Sequence, residues 1–453
     1  MKHKEKGVSS GGLAMMALGT VVGGSFFLGA GIAIRAAGPA ILLSYVLGGG
    51  LVYLILFALS EMTVADADPG SFRTFAQRAF GPGAGFIVGW VYWTGLILAM
   101  SSEAAAVSVF LRIWFPQLSV PVLGSGIVVI ITLMNLLGAD RLSKLESGLA
   151  AVKLLAIVGF VVLGLALVAG FIPGRPPVGA GALTNEPLLP TGISGIAGSM
   201  LIVMFTYAGF EVIGLAASET ADPHRTVPKA IGYTVLGLVG LYTTAIAFLL
   251  PLIPTAGLSE EVSPFVAALE LKGINWAASA INVILVTAIL STMLAATFGL
   301  GRMIRSLAQE GYAPAWVKDH GDVPYKGIIF SGMAMLMGLA LSIILPRQIY
   351  LFLVSSGGFS LLFTYVVILA THYKFRKCNG CPPKGKCQLA GYPYTSWIAI
   401  ALLLGIIASM PLIPGQGAGL AAGLILVIFY SVSYLVSHYV SQHKKSRLKT
   451  NRR

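Results

Sequence analysis

Twelve apolar stretches, each about 20 residues or longer and so able to cross a bilayer as a helix, restrict what the 453-residue sequence can fold into. They lie near residues 11–35, 40–64, 84–113, 121–139, 148–171, 193–216, 229–254, 276–306, 327–345, 349–374, 395–412 and 416–440. With 56% hydrophobic and only 10% charged residues, a soluble fold would have almost no polar surface. The sequence therefore predicts one all-α integral membrane domain with twelve transmembrane helices, called spans one to twelve below.

The basic residues are unevenly divided between the predicted loops. The chain carries a formal net charge of +13, from 30 Lys and Arg against 17 Asp and Glu. If both termini are cytoplasmic, 24 of the basic residues fall on the cytoplasmic side and five on the outer side, with Lys153 inside span five. Cytoplasmic loops of membrane proteins are enriched in Lys and Arg. The asymmetry predicts cytoplasmic termini and explains the charge without a nucleic-acid partner.

All three cysteines lie in one short loop that this topology places in the cytoplasm. Cys378, Cys381 and Cys387 form a C-x2-C-x5-C pattern, and His372 precedes it by six residues. Four such side chains can bind structural zinc, but one C-x2-C in a basic loop does not make two facing knuckles. The reducing cytoplasm disfavours a disulfide. We expect free thiols and neither a cofactor nor a metal at the functional site, with a structural zinc in this loop as the open alternative.

Glycines interrupt two of the spans at a similar depth. Span one contains Gly23-Gly24-Ser25, and span six contains "FTYAGFEVIG", with Gly209 and Gly214. Because five spans separate the interruptions, the two halves would face opposite ways across the bilayer, as in transporters built from inverted repeats. The predicted segments are a first repeat over residues 11–171, a second repeat over 193–374, and two additional helices over 395–440.

A helix interrupted inside a membrane frees backbone groups that a continuous helix would satisfy. Free N–H groups at the start of the second helical segment favour a carboxylate, and free carbonyls at the end of the first favour an ammonium group or a cation. A zwitterionic amino acid needs both. Alternatively, the glycines only allow close packing of neighbouring helices. The glycine pattern alone leaves both interpretations open.

Four longer stretches resemble the amino acid permeases of the amino acid–polyamine–organocation superfamily, and within it the bacterial amino acid transporter family. They are "VVGGSFFLGAGIAIRAAGPAILLSYVLGG", "LSEMTVADADPGSFRTFAQRAFGPGAGFIVGWVYW", "AASETADPHRTVPKAI" and "RMIRSLAQEGYAP". They occur in the family's order, from span one to beyond span eight. The resemblance implies the five-plus-five inverted-repeat fold of the sodium-coupled leucine transporter type, and it implies amino acid uptake.

The resemblance also implies where the carboxylate of a substrate would lie. The family usually has Gly-(Ser/Thr)-Gly at the interruption of span one, whereas the order here is Gly23-Gly24-Ser25. By resemblance, the backbone amides near Gly24 and Ser25 hold the substrate carboxylate. Serine at the third position adds a hydroxyl where the family keeps bare backbone, so the hydrogen-bond pattern at this site is expected to differ.

In span six, "FTYAGFE" is similar to the unwound segment of the family. The resemblance puts the carbonyls of Phe205, Thr206 and Ala208 on the substrate ammonium group. It also makes the Phe205 ring a lid that separates the site from one side of the membrane. For an isolated phenylalanine, core packing or lipid contact is the alternative, but the neighbouring Gly209 in an interrupted helix favours the lid.

Lys153 in span five is a charged residue in apolar surroundings, "AAVKLLAIVGF". Ionisable residues inside membranes are costly and usually functional, and a buried ammonium group can exchange protons near neutral pH. The proton-coupled members of the family carry a lysine at this point, which favours a proton-coupling role. Two alternatives stay open, a fixed cation in the place of sodium and a side chain that extends to the cytoplasmic surface.

The roles of three glutamates near the predicted site stay open. Glu103 in span three has no sequence-adjacent partner and faces either the substrate cavity or the outer water. The resemblance favours a role near the side-chain pocket or in proton handling, and a satisfied structural carboxylate is the alternative. Glu211 and Glu219 flank the end of span six. We expect a gating or structural role for both.

The functional prediction is a secondary active permease of the plasma membrane that imports an amino acid with protons by alternating access. Pocket segments rich in Gly, Ala, Ser, Phe and Met favour a neutral side chain, although Glu103 keeps an amine or cationic substrate open. An exchanger, or a receptor built on a transporter fold, would show the same site. The six histidines lie at or near span ends, which disfavours a membrane enzyme, and nothing suggests the filter of a channel.

Overall fold

The computed structural model describes residues 9–66, 70–211, 213, 220, 222–258, 262–319, 321, 323–344, 349–381 and 387–450. Every regular element within these ranges is helical. We number the α-helices α1 to α16 in chain order. The first eight are α1 (Ser10–Val21), α2 (Gly24–Phe27), α3 (Gly29–Ala37), α4 (Ile41–Ala65), α5 (Ser71–Phe80), α6 (Pro82–Leu111), α7 (Val120–Asn135) and α8 (Ala139–Ala169).

The second half of the chain continues with helices of similar lengths. They are α9 (Ile193–Thr206), α10 (Pro223–Leu249), α11 (Pro264–Leu271), α12 (Asn275–Gln309), α13 (Tyr325–Ile344), α14 (Ile349–Asn379), α15 (Tyr394–Ser409) and α16 (Gln416–Thr450). Helices α6, α10 and α11 each begin with a proline. Proline lacks a backbone N–H, and at the first position of a helix no intrahelical hydrogen bond is lost by this.

Helices occupy all twelve of the predicted apolar stretches. Within the described ranges, eight helical stretches are long and apolar enough to cross a membrane. Four shorter apolar helices, Ser10–Val21, Val120–Asn135, Ile193–Thr206 and Tyr325–Leu341, lie at the predicted spans one, four, six and nine. The membrane character of the chain agrees with the sequence, while twelve full crossings and their inverted-repeat relation stay predictions.

Span one is interrupted where its glycines predict an interruption. Helix α1 ends at Val21, and Gly23 is extended, with φ −139° and ψ −169°, before α2 begins at Gly24. A Cβ atom at position 23 would lie 2.9 Å from the Thr292 hydroxyl oxygen. Glycine therefore allows α12 to approach the interrupted backbone closely.

Span six is interrupted as well. Helix α9 ends at Thr206, and the residues that follow form turns. Gly209 has φ +105°, a backbone conformation that residues with side chains rarely adopt. Gly214 and Glu219, which the sequence also singles out, lie outside the described residues. The expected gating or structural role of Glu219 stays a prediction.

Aromatic rings hold α2 in place. The Phe26 ring stacks on Tyr242 of α10 with centroids 3.9 Å apart, and it also contacts Tyr45 of α4. The hydroxyl of Ser263, just before α11, donates to the Phe27 carbonyl at 2.9 Å. These contacts fix the short segment that follows the interruption of span one.

Helices α6 and α14 form the centre of the bundle. They pack extensively against each other, and α12 also packs against α6. In the most apolar 18-residue stretch of each helix, 72% of α6 and 78% of α14 is buried inside the protein, against 11% of α16. Helix α16 therefore lies at the periphery, and residues on α6 are well placed to reach a central site.

The cysteine loop differs from the expectation of free thiols. Cys381 and Cys387 form a disulfide, and Cys378 is free and exposed. The Glu61 carboxylate accepts hydrogen bonds from the amides of the two residues directly after Cys387, and the Cα atoms of the paired cysteines lie 5.1 Å apart, close enough for a disulfide. His372 instead contacts Glu61, with Nε2 2.7 Å from Oε2. No group of three or more potential ligands occurs among the described residues, and a zinc site in this loop stays a prediction.

Candidate functional site

A cavity lies where the two interrupted spans meet. It encloses about 680 Å³ of space that is partly open to solvent. It is lined by Thr20, Val21, Ser25, Tyr92, Leu96, Ala99, Met100, Glu103, Phe205, Ala208, Gly209, Glu211, Thr292, Ala295, Ala296, Gly299 and Leu361. The structure thus brings together residues from both interruptions and from the central helix α6, including five of the residues predicted from the sequence.

Glu103 is bonded to the backbone of the span-one interruption. Its Oε2 accepts a hydrogen bond from the Gly24 N–H at 3.1 Å, and its Oε1 accepts one from the Ser25 N–H at 3.0 Å. The glutamate is almost fully buried, with 3% of its surface exposed. Glu103 thus lines the cavity and occupies the amides that the resemblance assigned to a substrate carboxylate, while its role stays a prediction.

The absence of a side chain at position 24 makes this contact feasible. A Cβ atom there would lie 2.3 Å from Glu103 Oε2 and 2.7 Å from side-chain atoms of Ile289. A side chain at position 24 would therefore force Glu103 and Ile289 to move. The order Gly-Gly-Ser keeps the glycine where the carboxylate approaches and leaves Ser25 to line the cavity.

A second carboxylate holds the interruption of span six. Glu211 Oε2 accepts from the Gly209 N–H at 3.1 Å, and Oε1 accepts from the Tyr92 hydroxyl at 2.9 Å. The Tyr365 hydroxyl is a longer donor to Oε2, at 3.4 Å. Glu211 is therefore part of the cavity wall rather than a residue that only flanks the end of the span.

Two of the carbonyls predicted to bind an ammonium group already accept hydrogen bonds. The Phe205 carbonyl accepts from the Ala208 N–H at 3.1 Å, and the Thr206 carbonyl accepts from the Tyr242 hydroxyl at 3.4 Å. Each carbonyl oxygen retains a second lone pair for another donor. Phe205 lines the cavity, and its role as a lid stays a prediction.

Lys153 is fully buried in α8, behind the cavity. Its Nζ lies 3.4 Å from the Thr292 hydroxyl, whose single hydrogen has two acceptors in reach, the carbonyls of Val22 and Ala288, each at 3.2 Å. Burial excludes the alternative in which this side chain extends to the membrane surface. The position connects the lysine, through one hydroxyl, to the interruption of span one.

Sequence reasoning missed three polar contributors to the cavity wall, Thr20, Tyr92 and Thr292. Tyr92 lies within a quoted family stretch, but nothing in an apolar span distinguishes it from an ordinary packed tyrosine. A threonine in an apolar span, such as Thr292, most often forms an ordinary hydrogen bond between helices. A threonine on a predicted inward face, opposite a glycine of an interrupted helix, is the signal that could have found it.

The cavity wall has an acidic character. Its polar side chains are two carboxylates and the hydroxyls of Thr20, Ser25, Tyr92 and Thr292, and no Lys, Arg or His lines it among the residues the structure describes. Carboxylates in a membrane interior are costly and mark binding or proton pathways. Such a wall can accept hydrogen bonds from an ammonium group, and the amides held by Glu103 can donate to a carboxylate.

Comparison with known proteins decides the family. The sequence profile of the family described as "Amino acid permease" matches residues 12–449, nearly the whole chain. The chain belongs to this amino acid permease family. The resemblance recognised in the sequence is thereby confirmed, and the permease is a multi-pass membrane transporter of amino acids rather than an enzyme.

Curated relatives match the permease over most of their own length. It is 32% identical to the gamma-aminobutyric acid permease of Bacillus subtilis (strain 168), over 88% of this chain and 87% of the relative. It is 31% identical to a probable GABA permease of Pseudomonas aeruginosa, over 89% and 86%. The aromatic amino acid transport protein AroP of Escherichia coli (strain K12) is 28% identical over 91% of each chain. The names of these relatives differ in substrate but agree on amino acid transport.

Proposed function

We propose that this permease imports an amino acid with a neutral side chain, together with protons, across the plasma membrane by alternating access. In this proposal both termini are cytoplasmic. Residues 11–171 and 193–374 form two inverted repeats, and residues 395–440 add two further helices. The cavity between the interrupted spans is the substrate site.

One observation carries the proposal: the interruptions of both spans open into the same cavity. The substrate carboxylate is assigned to the amides of Gly24 and Ser25. Its ammonium group is assigned to the opposite wall, where the span-six carbonyls and Glu211 provide acceptors. The two ends of a zwitterion would then each meet groups of complementary charge.

Apolar residues support a neutral substrate side chain. Leu96, Met100, Ala295, Ala296 and Leu361 line the remainder of the cavity. A charged side chain pointing at these residues would lose its hydration without gaining a partner. The relatives named for gamma-aminobutyric acid and for aromatic amino acids make 4-aminobutyrate, phenylalanine, tyrosine and tryptophan the first substrates to test.

Lys153 is assigned the role of the proton-coupling group. Loss of its proton would remove a buried charge next to Thr292, which bonds to the Val22 carbonyl at the span-one interruption. A change of protonation could therefore alter the backbone that holds the substrate. The alternative, a fixed cation in the place of sodium, predicts transport that does not respond to a proton gradient.

Uptake into proteoliposomes tests this function. We expect accumulation of a neutral amino acid when the outside is acidified, without sodium, and loss of accumulation when a protonophore is added. A requirement for a sodium gradient would contradict proton coupling. Binding without accumulation would indicate a receptor, and transport only against a loaded counter-substrate would indicate an exchanger.

The acidic cavity wall favours one second candidate, a transporter of amines or cationic amino acids. Glu103 and Glu211 both line the cavity, and no basic side chain does so among the residues described there. The uptake screen should therefore include lysine, arginine and putrescine. Preferential uptake of these compounds over leucine and phenylalanine would replace the neutral assignment.

A further inference from the structure

The two amides assigned to a substrate carboxylate already have an anionic partner within the chain. Gly24 N–H and Ser25 N–H each point at a different oxygen of Glu103, at 3.1 and 3.0 Å. A backbone amide has one hydrogen to donate. Both donors are therefore committed to a side chain that comes from α6, 78 and 79 residues further along the chain.

A substrate carboxylate cannot share this position with Glu103. At a separation of 4 Å and an effective dielectric constant of 20, two unit charges repel by about 4 kcal/mol. Among the described residues no Lys, Arg or His lines the cavity itself, and the buried Lys153 behind Thr292 supplies one positive charge, which balances one carboxylate and not two. A bound substrate carboxylate therefore requires either a different position or the departure of Glu103.

We propose that Glu103 is an internal, displaceable ligand of the carboxylate position. In the substrate-free permease its carboxylate occupies the amides of Gly24 and Ser25, and a substrate carboxylate binds by taking its place. This inference rests on the proposed assignment of these amides to a substrate carboxylate. Glu103 is then a specificity-determining residue. It competes for the two amides with compounds that carry a carboxylate, and it does not compete with simple amines.

The surroundings of Glu103 suit an exchange of ligands. The side chain lines a cavity that is partly open to solvent, so a displaced carboxylate has space in which to move. Position 24 has no Cβ atom, and this leaves room beside the two amides for a carboxylate. The same room is available to the carboxylate of a substrate once Glu103 has moved away. A glutamate sealed into packed helices would have neither feature.

Chemical rescue tests the exchange without a need to know the substrate. In Glu103→Ala the two amides lose their acceptor, so sodium acetate should bind there and raise the melting temperature in a saturable way. The wild-type protein should show no such rise. Sodium chloride at equal ionic strength and acetamide serve as controls, and Ser102→Ala, one residue away on α6, should behave as the wild type.

Ligand affinity provides the second readout. If Glu103 occupies the amides in nine-tenths of wild-type molecules, removal of its carboxylate should tighten the binding of L-leucine or L-phenylalanine about tenfold. Isoamylamine and phenethylamine, which lack the carboxylate, should not gain affinity. Glu103→Gln should show a smaller gain, because its amide oxygen can accept from only one of the two donors at this geometry.

The outcomes separate this inference from the proposed function. The exchange would be contradicted if acetate stabilised Glu103→Ala and the wild type equally, or if it stabilised neither protein. This holds even if amino acid uptake is observed. Failure of both Glu103→Ala and Glu103→Gln to fold in the presence of acetate would also contradict it, because the carboxylate would then be an irreplaceable structural group. Absence of uptake with a normal acetate response would leave the exchange intact and contradict only the transport assignment.

Discussion

Gly24 and Glu103 depend on each other at the level of single residues. The carboxylate reaches the interrupted backbone only because position 24 has no side chain, and the two amides at the interruption gain acceptors only because α6 delivers a glutamate to them. A buried N–H without an acceptor is costly. The contact therefore stabilises the interrupted backbone while no substrate is bound.

Gly24→Ala should damage both stability and transport. The new Cβ atom would lie within 2.7 Å of both Glu103 and Ile289, an overpacking that costs about 1–3 kcal/mol. We expect a lower melting temperature and little or no uptake. Gly159→Ala is the matched control, because a Cβ atom at position 159 of α8 would meet no neighbouring atom within 4 Å. Equal behaviour of the two variants would contradict a special role for position 24.

Lys153→Gln should separate binding from coupling. The glutamine cannot carry a positive charge, so we expect loss of acid-driven accumulation while substrate binding is largely retained. Uptake into proteoliposomes with and without an inward proton gradient, together with a binding assay, measures the two properties. Lys318→Gln, at an exposed lysine, is the control. If Lys153→Gln still accumulated substrate under an acid gradient, the coupling role would be contradicted, and Lys153 would have only a structural role.

At the level of elements, each interrupted span is held by a carboxylate on a freed amide. Glu103 serves span one from another helix, whereas Glu211 serves span six from two residues along the same segment. The span-six carboxylate in turn depends on tyrosine hydroxyls from α6 and α14. The conformation of this interruption is therefore coupled to the central helix pair.

Tyr92→Phe should loosen the span-six interruption more than Tyr365→Phe does. The Tyr92 hydroxyl donates to Glu211 at 2.9 Å, whereas that of Tyr365 is at 3.4 Å, near the limit for a hydrogen bond. Loss of the shorter bond should cost at least about 1 kcal/mol, or roughly fivefold in substrate affinity. Melting temperature and uptake at varied substrate concentration measure both effects. A larger loss in Tyr365→Phe would contradict the account.

The sequence predicted the location of both interruptions but not how they are satisfied. Glycines at Gly23, Gly24 and Gly209 mark places where a helix is weak, and that signal is local. The acceptor for the Gly24 amide comes from Glu103, and a single sequence has no pattern that pairs residues so far apart. The sequence predicts Glu211 at the end of span six. Gly209, with its positive φ, instead turns the chain within this segment, and hydropathy gives no sign of such a turn.

At the level of the whole molecule, polar contacts connect the helices beyond the site. Arg73 of α5 is almost fully buried and forms an ion pair with Glu310, at the end of α12, with Nη2 2.6 Å from Oε1. The predicted topology places this contact on the cytoplasmic side. Hydropathy predicted α12, but it gave no indication of α5 or of this pairing.

Arg73→Ala should destabilise the permease far more than Arg78→Ala. Removal of Arg73 leaves a partly buried carboxylate without its main partner, at a cost of about 3 kcal/mol. The pair between Arg78 and Asp66 is exposed, with 49% and 60% of the side chains accessible, and should contribute less than about 1 kcal/mol. Melting temperatures in the same detergent compare the two variants. Similar losses would contradict a structural role for the contact between α5 and α12.

The central claim is that the cavity between the two interruptions binds an amino acid by both of its charged ends. A structure of the permease bound to an amino acid that it transports measures this directly. We predict the substrate carboxylate within hydrogen-bond distance of the Gly24 and Ser25 amides, Glu103 displaced from them, and the ammonium group at the span-six wall. A substrate bound elsewhere, or one whose carboxylate faces other donors while Glu103 keeps both amides, would contradict the claim.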